Sequence, residues 1–112
     1  MCPACLADGK YNRQVQVAHL RAGSLEHGKR STGGAEKPSD RWTTPLCMPH
    51  HTGDKRAAHI HQHVMDEVEF WASFGINPFD LCNALVEAYM AGRSGHGVIA
   101  TFVANGKKAQ HG

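Results

Sequence analysis

Cys2-Pro3-Ala4-Cys5 at the head of the chain and Cys47-Met48-Pro49-His50-His51 in its middle decide the fold of this 112-residue sequence. Each stretch carries two soft-metal ligands separated by two residues. Thiolates and imidazoles so spaced on a tight turn converge on one ion at about 2.0–2.3 Å. Brought together, the pairs make a closed tetrahedral zinc site of Cys2, Cys5, Cys47 and His50. His51 is left over on the same anchored turn. Two disulfides are the alternative for four cysteines, but the C-x2-C spacing and the lack of an export leader favour a metal. Cys82 is an alternative fourth ligand; its place on the apolar face of a helix reads instead as a buried thiol.

Between the pairs, Asn12 to His19 reads as a strand, with Val15 and Val17 on one face and His19 at its end. Residues 22–40 are rich in Gly, Ser, Thr, Lys and Arg, with Gly33-Gly34 and Pro38. That is a long polar loop, and loops of such length in small domains commonly carry function. Trp42 to Leu46 reads as a short second strand leading into the Cys47 turn.

Beyond the second pair, residues 54–74 read as a helix, with Ala57, Ile60, Val64, Val68 and Trp71 in an apolar stripe. His59 and His63 lie i,i+4 beside it. Gly75 ends it. Asn77-Pro78 starts another helix, running to about residue 92, as an N-cap followed by proline at the first helical position. Phe79, Leu81, Cys82, Leu85, Val86, Tyr89 and Met90 give this helix an apolar face, and Gly92 stops it. Residues 94–112 read as an extension in which Val98 to Val103 forms an edge strand or packs on the core, with a disordered end. The expected organisation is one domain over residues 1–93 plus this extension.

A chain of this length buries a modest core and gains from a metal staple. No apolar window is long enough to span a membrane. Met1 is not followed by a basic and then apolar leader, so a cytoplasmic location is expected. The net charge of +2 is unevenly spread. Residues 1–56 hold nine Lys/Arg against five Asp/Glu, a net +4, whereas residues 57–106 hold one Arg against five acids, a net −4. The basic half is the half with the metal ligands. A basic surface around a metal fits a phosphate backbone, with Lys29, Arg30 and Lys37 in the long loop as candidate DNA contacts. Arg21 is a further candidate, suited to holding a phosphate bidentately. The plain alternative is a solvated loop.

The run Ala18-His19-Leu20, the glycine-rich loop, Lys37-Pro38-Ser39-Asp40 and Pro45-Leu46-Cys47-x-x-His50-His51 resembles the HNH endonucleases of the ββα-metal fold. Within that family it is most similar to the phage recombination-enhancement nuclease type. Gln62-His63-Val64-Met65-Asp66-Glu67-x-x-Phe70-Trp71 and Gly75-Ile76-Asn77-Pro78 continue the likeness, which covers roughly residues 2–85. The resemblance implies an α+β fold: a small zinc-stabilised ββα-metal module with a long polar loop, followed by two C-terminal helices. It implies hydrolysis of DNA phosphodiesters to 5′-phosphate and 3′-hydroxyl ends, and a recombinase or other phage DNA-processing partner.

By that resemblance His19 is the general base, a role that suits imidazole. Asp40 falls where the family places a residue that orients the base or touches the ion. His51 holds one catalytic divalent cation (Mg, Mn, Ni or Zn), with His63, or else His59, completing its site. Such an ion acts as a Lewis acid at the scissile phosphate. One departure stands out. Ala18 occupies the position before the base, where many family members carry a ligand, and it cannot coordinate. A zinc module that binds nucleic acid or protein without cleaving is therefore the competing expectation.

Overall fold

The computed structural model of the chain describes residues 1–20, 23–24, 26–27, 41–51 and 67–111. Among these residues it is an α+β fold with one two-stranded antiparallel sheet and five helical segments. In chain order they are α1 (Pro3–Ala7), β1 (Gln16–His19), β2 (Thr43–Leu46), α2 (Met48–His51), α3 (Glu67–Ala72), α4 (Pro78–Met90) and α5 (Gly95–His111).

The hairpin pairs Gln16 with Leu46, Val17 with Pro45, Ala18 with Thr44 and His19 with Thr43. One further bond, from the Leu20 amide to the Trp42 carbonyl at 2.8 Å, extends it at the loop end. β1 is shorter than the expected strand because its partner runs out: past Leu46 the chain turns into α2. Residues before Gln16 are held differently. The Cys2 amide donates to the Asn12 carbonyl at 2.9 Å, and the Gln14 amide donates to Asn12 Oδ1 at 2.9 Å.

Successive strand residues face opposite ways. Ala18 and Thr44 are buried on the core face, whereas Val17 is 64% exposed on the other. The valine face is thus the outer face, across which Cys82, Leu85 and Val86 of α4 border a shallow apolar cleft.

α3 is the end of the expected first helix; positions 52–66, with most of that helix, lie outside the described residues. Phe70 and Trp71 are fully buried in α3, and burial of such side chains stabilises by roughly 1.5–3 kcal/mol each. Gly75 then reverses the chain at φ 70°. α4 starts as the sequence predicts: Asn77 accepts the amides of Phe79 and Asp80, and Pro78 fills the first turn. It buries Phe79, Leu81 and Cys82, but Tyr89 and Met90, expected on its apolar face, are 84% and 80% exposed. In the last turn of the helix Ala88 is fully buried, and Tyr89 and Met90 lie past the edge of the core among the described residues, before Gly92 ends it.

The extension forms a helix, Gly95–His111, and not an edge strand; of the two expectations for Val98 to Val103, packing on the core is the one that holds. α5 packs on α1 and α4, burying Ile99 and Val103. These lie four residues apart, one helical turn, on a single face.

Candidate metal centre

Both halves of the metal centre are single helical turns. In α1, Pro3 supplies the first helical position and the Cys2 carbonyl accepts the Leu6 amide at 3.1 Å. Residues three apart on a helix share a face, so Cys2 and Cys5 project together. α2 repeats the device: the Cys47 carbonyl accepts the His51 amide at 2.9 Å, which places Cys47 and His50 on one side.

The two turns meet. One ligand atom from each of Cys2, Cys5, Cys47 and His50 lies within 4.8 Å of all the others. Cys5 Sγ is 3.6 Å from Cys47 Sγ. His50 Nδ1 lies 3.8, 3.5 and 3.1 Å from the sulfurs of Cys2, Cys5 and Cys47. A tetrahedral zinc with the usual bond lengths demands edges of about 3.8 Å between sulfurs and about 3.5 Å between sulfur and nitrogen. The cluster therefore has the residues and spacing to hold a metal such as zinc.

The surroundings fit the same conclusion. The three cysteines are buried, and none is in a disulfide. Asn12 Nδ2 donates to Cys5 Sγ at 3.7 Å, the kind of outer bond that stabilises a thiolate. The Phe70 ring lies 6.5 Å from that of His50. Without a cation, burial pushes the Cys47 thiol up to about 12. Burial also raises Cys2, aided by the charge of Cys5, and lowers His50. With burial raising them, the Cys2 and Cys47 thiols need a cation to be held as thiolates.

Comparison with protein-family models, with curated proteins and with solved structures finds no match.

Cys82 is separate from the cluster. Its buried thiol donates to the Thr43 carbonyl at 3.3 Å, tying α4 to the hairpin. His51 is not a member of the cluster; its Nδ1 is hydrogen-bonded to Gln16 Oε1 at 3.0 Å. His19 is half-buried at the far end of β1. Gln16 and Ala18 share one face of the strand, Val17 and His19 the other. His19 and the His51 anchor are thus three residues apart, roughly 10 Å of strand. Ala18 is fully buried between them. Asp40, His59 and His63, expected at the catalytic ion, lie outside the described residues, as do Arg21, Lys29, Arg30 and Lys37.

One polar network has no forerunner in the sequence reading. Ser24 Oγ lies 2.7 Å from His27 Nδ1, and His27 Nε2 lies 2.6 Å from Asp80 Oδ1. The His27 ring stacks on Phe79 at 5.4 Å. The chain just after β1 is thereby fastened to the first turn of α4. His27 and Asp80 are 53 positions apart, so no local spacing announces the pair.

Proposed function

We propose that the chain is a metal-dependent endonuclease of the HNH type, with a structural zinc on Cys2, Cys5, Cys47 and His50. The observation that carries this reading is the order strand, long connection, strand, anchored helical turn. It sets His19 at the end of β1 and His51 directly after the cluster, bonded to Gln16. His19 and Gln16 leave opposite faces of β1, so it is the order of elements, and not a meeting of the two imidazoles, that supports the reading.

The outer bond matters for His51. An imidazole that donates from Nδ1 presents its Nε2 lone pair, the tautomer a metal ligand requires. His51 would be one protein ligand of the catalytic cation, with Asp40, His63 or His59 as the others. When bound, such a cation supplies Lewis-acid stabilisation of the phosphate and of the leaving 3′ oxygen. His19 takes the proton from the attacking water. The water oxygen bonds to phosphorus, the bond to the 3′ oxygen breaks, and that oxygen is protonated from solvent. The products are a 5′-phosphate and a 3′-hydroxyl. The same reading places Arg21, Lys29, Arg30 and Lys37 on DNA phosphates and makes a phage recombination or DNA-processing role, with a recombinase-like partner, the natural setting.

A second reading has one observation in its favour. Ala18 is fully buried and offers no ligand atom beside His19. On that reading the chain is a zinc-pinned module that binds nucleic acid or protein without cutting. Nicking of supercoiled plasmid by the zinc-loaded protein, with Mg²⁺, Mn²⁺, Ni²⁺ or further Zn²⁺ added in turn, separates the two. Nicking that depends on an added ion supports the nuclease; intact plasmid under every ion leaves the binding module.

A further inference from the structure

The loop between α1 and β1 carries an exposed aromatic side chain held in place by its neighbours. Tyr11 is 60% exposed. The guanidinium of Arg13 lies over its ring, 5.3 Å from the centroid, and Arg13 Nε donates to the Tyr11 hydroxyl at 3.0 Å. The His96 ring, from the first turn of α5, meets Tyr11 edge-on at 6.4 Å. The loop itself is fixed by the turn that carries Cys2 and Cys5: the Lys10 amide donates to the Cys5 carbonyl at 2.8 Å, and Asn12 is bonded to both Cys2 and Cys5. An exposed tyrosine is ordinary. An exposed tyrosine pinned by an arginine, on a loop hydrogen-bonded to the Cys2–Cys5 turn, has already lost the freedom that ligand binding would otherwise cost.

Its setting is cationic. Arg13 lies on the ring and Lys10 precedes it in the chain; neither forms an ion pair among the described residues, and Asp8 is the acid at the start of the loop. Beside Tyr11 in the chain, Asn12 opens a groove of about 440 Å³ lined also by Gln14, Val15, Gln16, Cys47 and Met48. Its amide side chains are neutral and repel no phosphate; Asn12 is bonded to Gln14 and Cys5 and Gln16 to His51, so Gln14 is the amide placed to meet a base edge. At its far end Gln16 holds His51.

We infer that Tyr11, Lys10 and Arg13 form a binding platform for single-stranded DNA, the strand then following the amide-lined groove toward His51. Tyr11 stacks an unpaired base, and Lys10 and Arg13 neutralise the adjacent phosphates. Stacking demands a base out of its duplex, which selects single strands. The choice of DNA rests on the nuclease reading above; the platform itself does not.

The test is fluorescence anisotropy of a short labelled oligothymidylate with zinc-loaded protein and no second divalent ion, alongside plasmid nicking by the same preparations. Tyr11→Ala weakens single-strand binding roughly tenfold or more, the loss of one stacked base, while Tyr11→Phe keeps most of the affinity. Arg13→Gln flattens the salt dependence by about one counterion. Duplex of matching length is bound as by wild type in the Tyr11→Ala protein. Stoichiometric zinc in each variant shows that the loop is folded. Unchanged single-strand binding in Tyr11→Ala, an equal loss on duplex, or tighter binding of oligouridylate than of oligothymidylate overturns the inference. Tyr11-dependent binding without nicking retains the platform and removes the nuclease. Nicking with Tyr11-independent binding does the reverse.

Discussion

His51 Nδ1 and Gln16 Oε1 lie 3.0 Å apart, joining the anchored turn of α2 to the start of β1. Gln16 is exposed, so its role in the core is small and its effect on His51 can be isolated. Gln16→Leu removes the acceptor that fixes the imidazole. On the nuclease reading it weakens the activating ion by about 10- to 100-fold, the usual cost of losing an outer-shell partner. Melting temperature and structural zinc stay unchanged. Titration of cleavage against Mn²⁺ reads the effect; an unshifted titration would mean that Gln16 does not position a ligand.

The cluster makes a sharper demand. Cys47→Ala removes one of four ligands from a buried site and leaves two thiols and an imidazole around a gap. Metal binding in small sites contributes on the order of 10 kcal/mol of folding free energy. The variant therefore fails to hold stoichiometric zinc and loses cooperative melting. Cys82→Ala, by contrast, keeps its zinc, because that thiol is bonded to the Thr43 carbonyl instead. Native mass spectrometry of both variants decides the ligand set.

The pH dependence of zinc affinity follows from the same burial. Cys47 is raised from 9.0 to about 12, so the metal-free fold holds that proton throughout the neutral range and zinc must expel it. Raised thiol values mean that acid competes with the metal, and competition relaxes only as pH climbs. His50 is lowered from 6.5, so it is neutral at pH 7 and adds no competition until the solution is more acidic than its ordinary value. Zinc affinity, measured against a competing chelator, should rise steadily from pH 5 to 9. A flat profile contradicts buried thiolate ligands.

Two glycines of α5 should respond with opposite signs. A Cβ at Gly106 would strike the Phe74 carbonyl oxygen and the backbone of Gly75. Both are main-chain atoms that cannot swing aside. Gly106→Ala therefore destabilises by roughly 1–3 kcal/mol, the range for overpacking. Gly97 has open space around it on the same helix, and Gly97→Ala stabilises by up to about 1 kcal/mol through helix propensity. Urea melts of the pair report directly on the packing of α5 against the Gly75 turn.

That contact also explains which parts of the fold were legible. The ligand quartet was readable because its chemistry is local: two residues of spacing on each of two turns, and a metal needs little more. Asn77-Pro78 and Gly92 were readable for the same reason, as caps. α5 was not. Gly95, Gly97 and Gly106 lower its helix propensity, yet Gly106 is the residue whose missing side chain lets the helix lie on the Phe74–Gly75 backbone. Tertiary packing overrode propensity there. The outward turn of Tyr89 and Met90 was hidden because a helical stripe says which residues share a face, not how far the core extends. The His27–Asp80 bond depends on elements far apart in sequence and has no signature of its own.

The catalytic assignment stands or falls on His19. The most direct measurement is the plasmid-nicking rate of wild type against His19→Ala, both zinc-loaded and supplied with the same activating divalent ion. Loss of a general base lowers the rate by ~10²–10⁴ while structural zinc and melting temperature are unchanged. Wild-type nicking with a His19→Ala rate reduced in that range is the predicted result. Equal rates in the two proteins, or no nicking by wild type with any divalent ion, would contradict it.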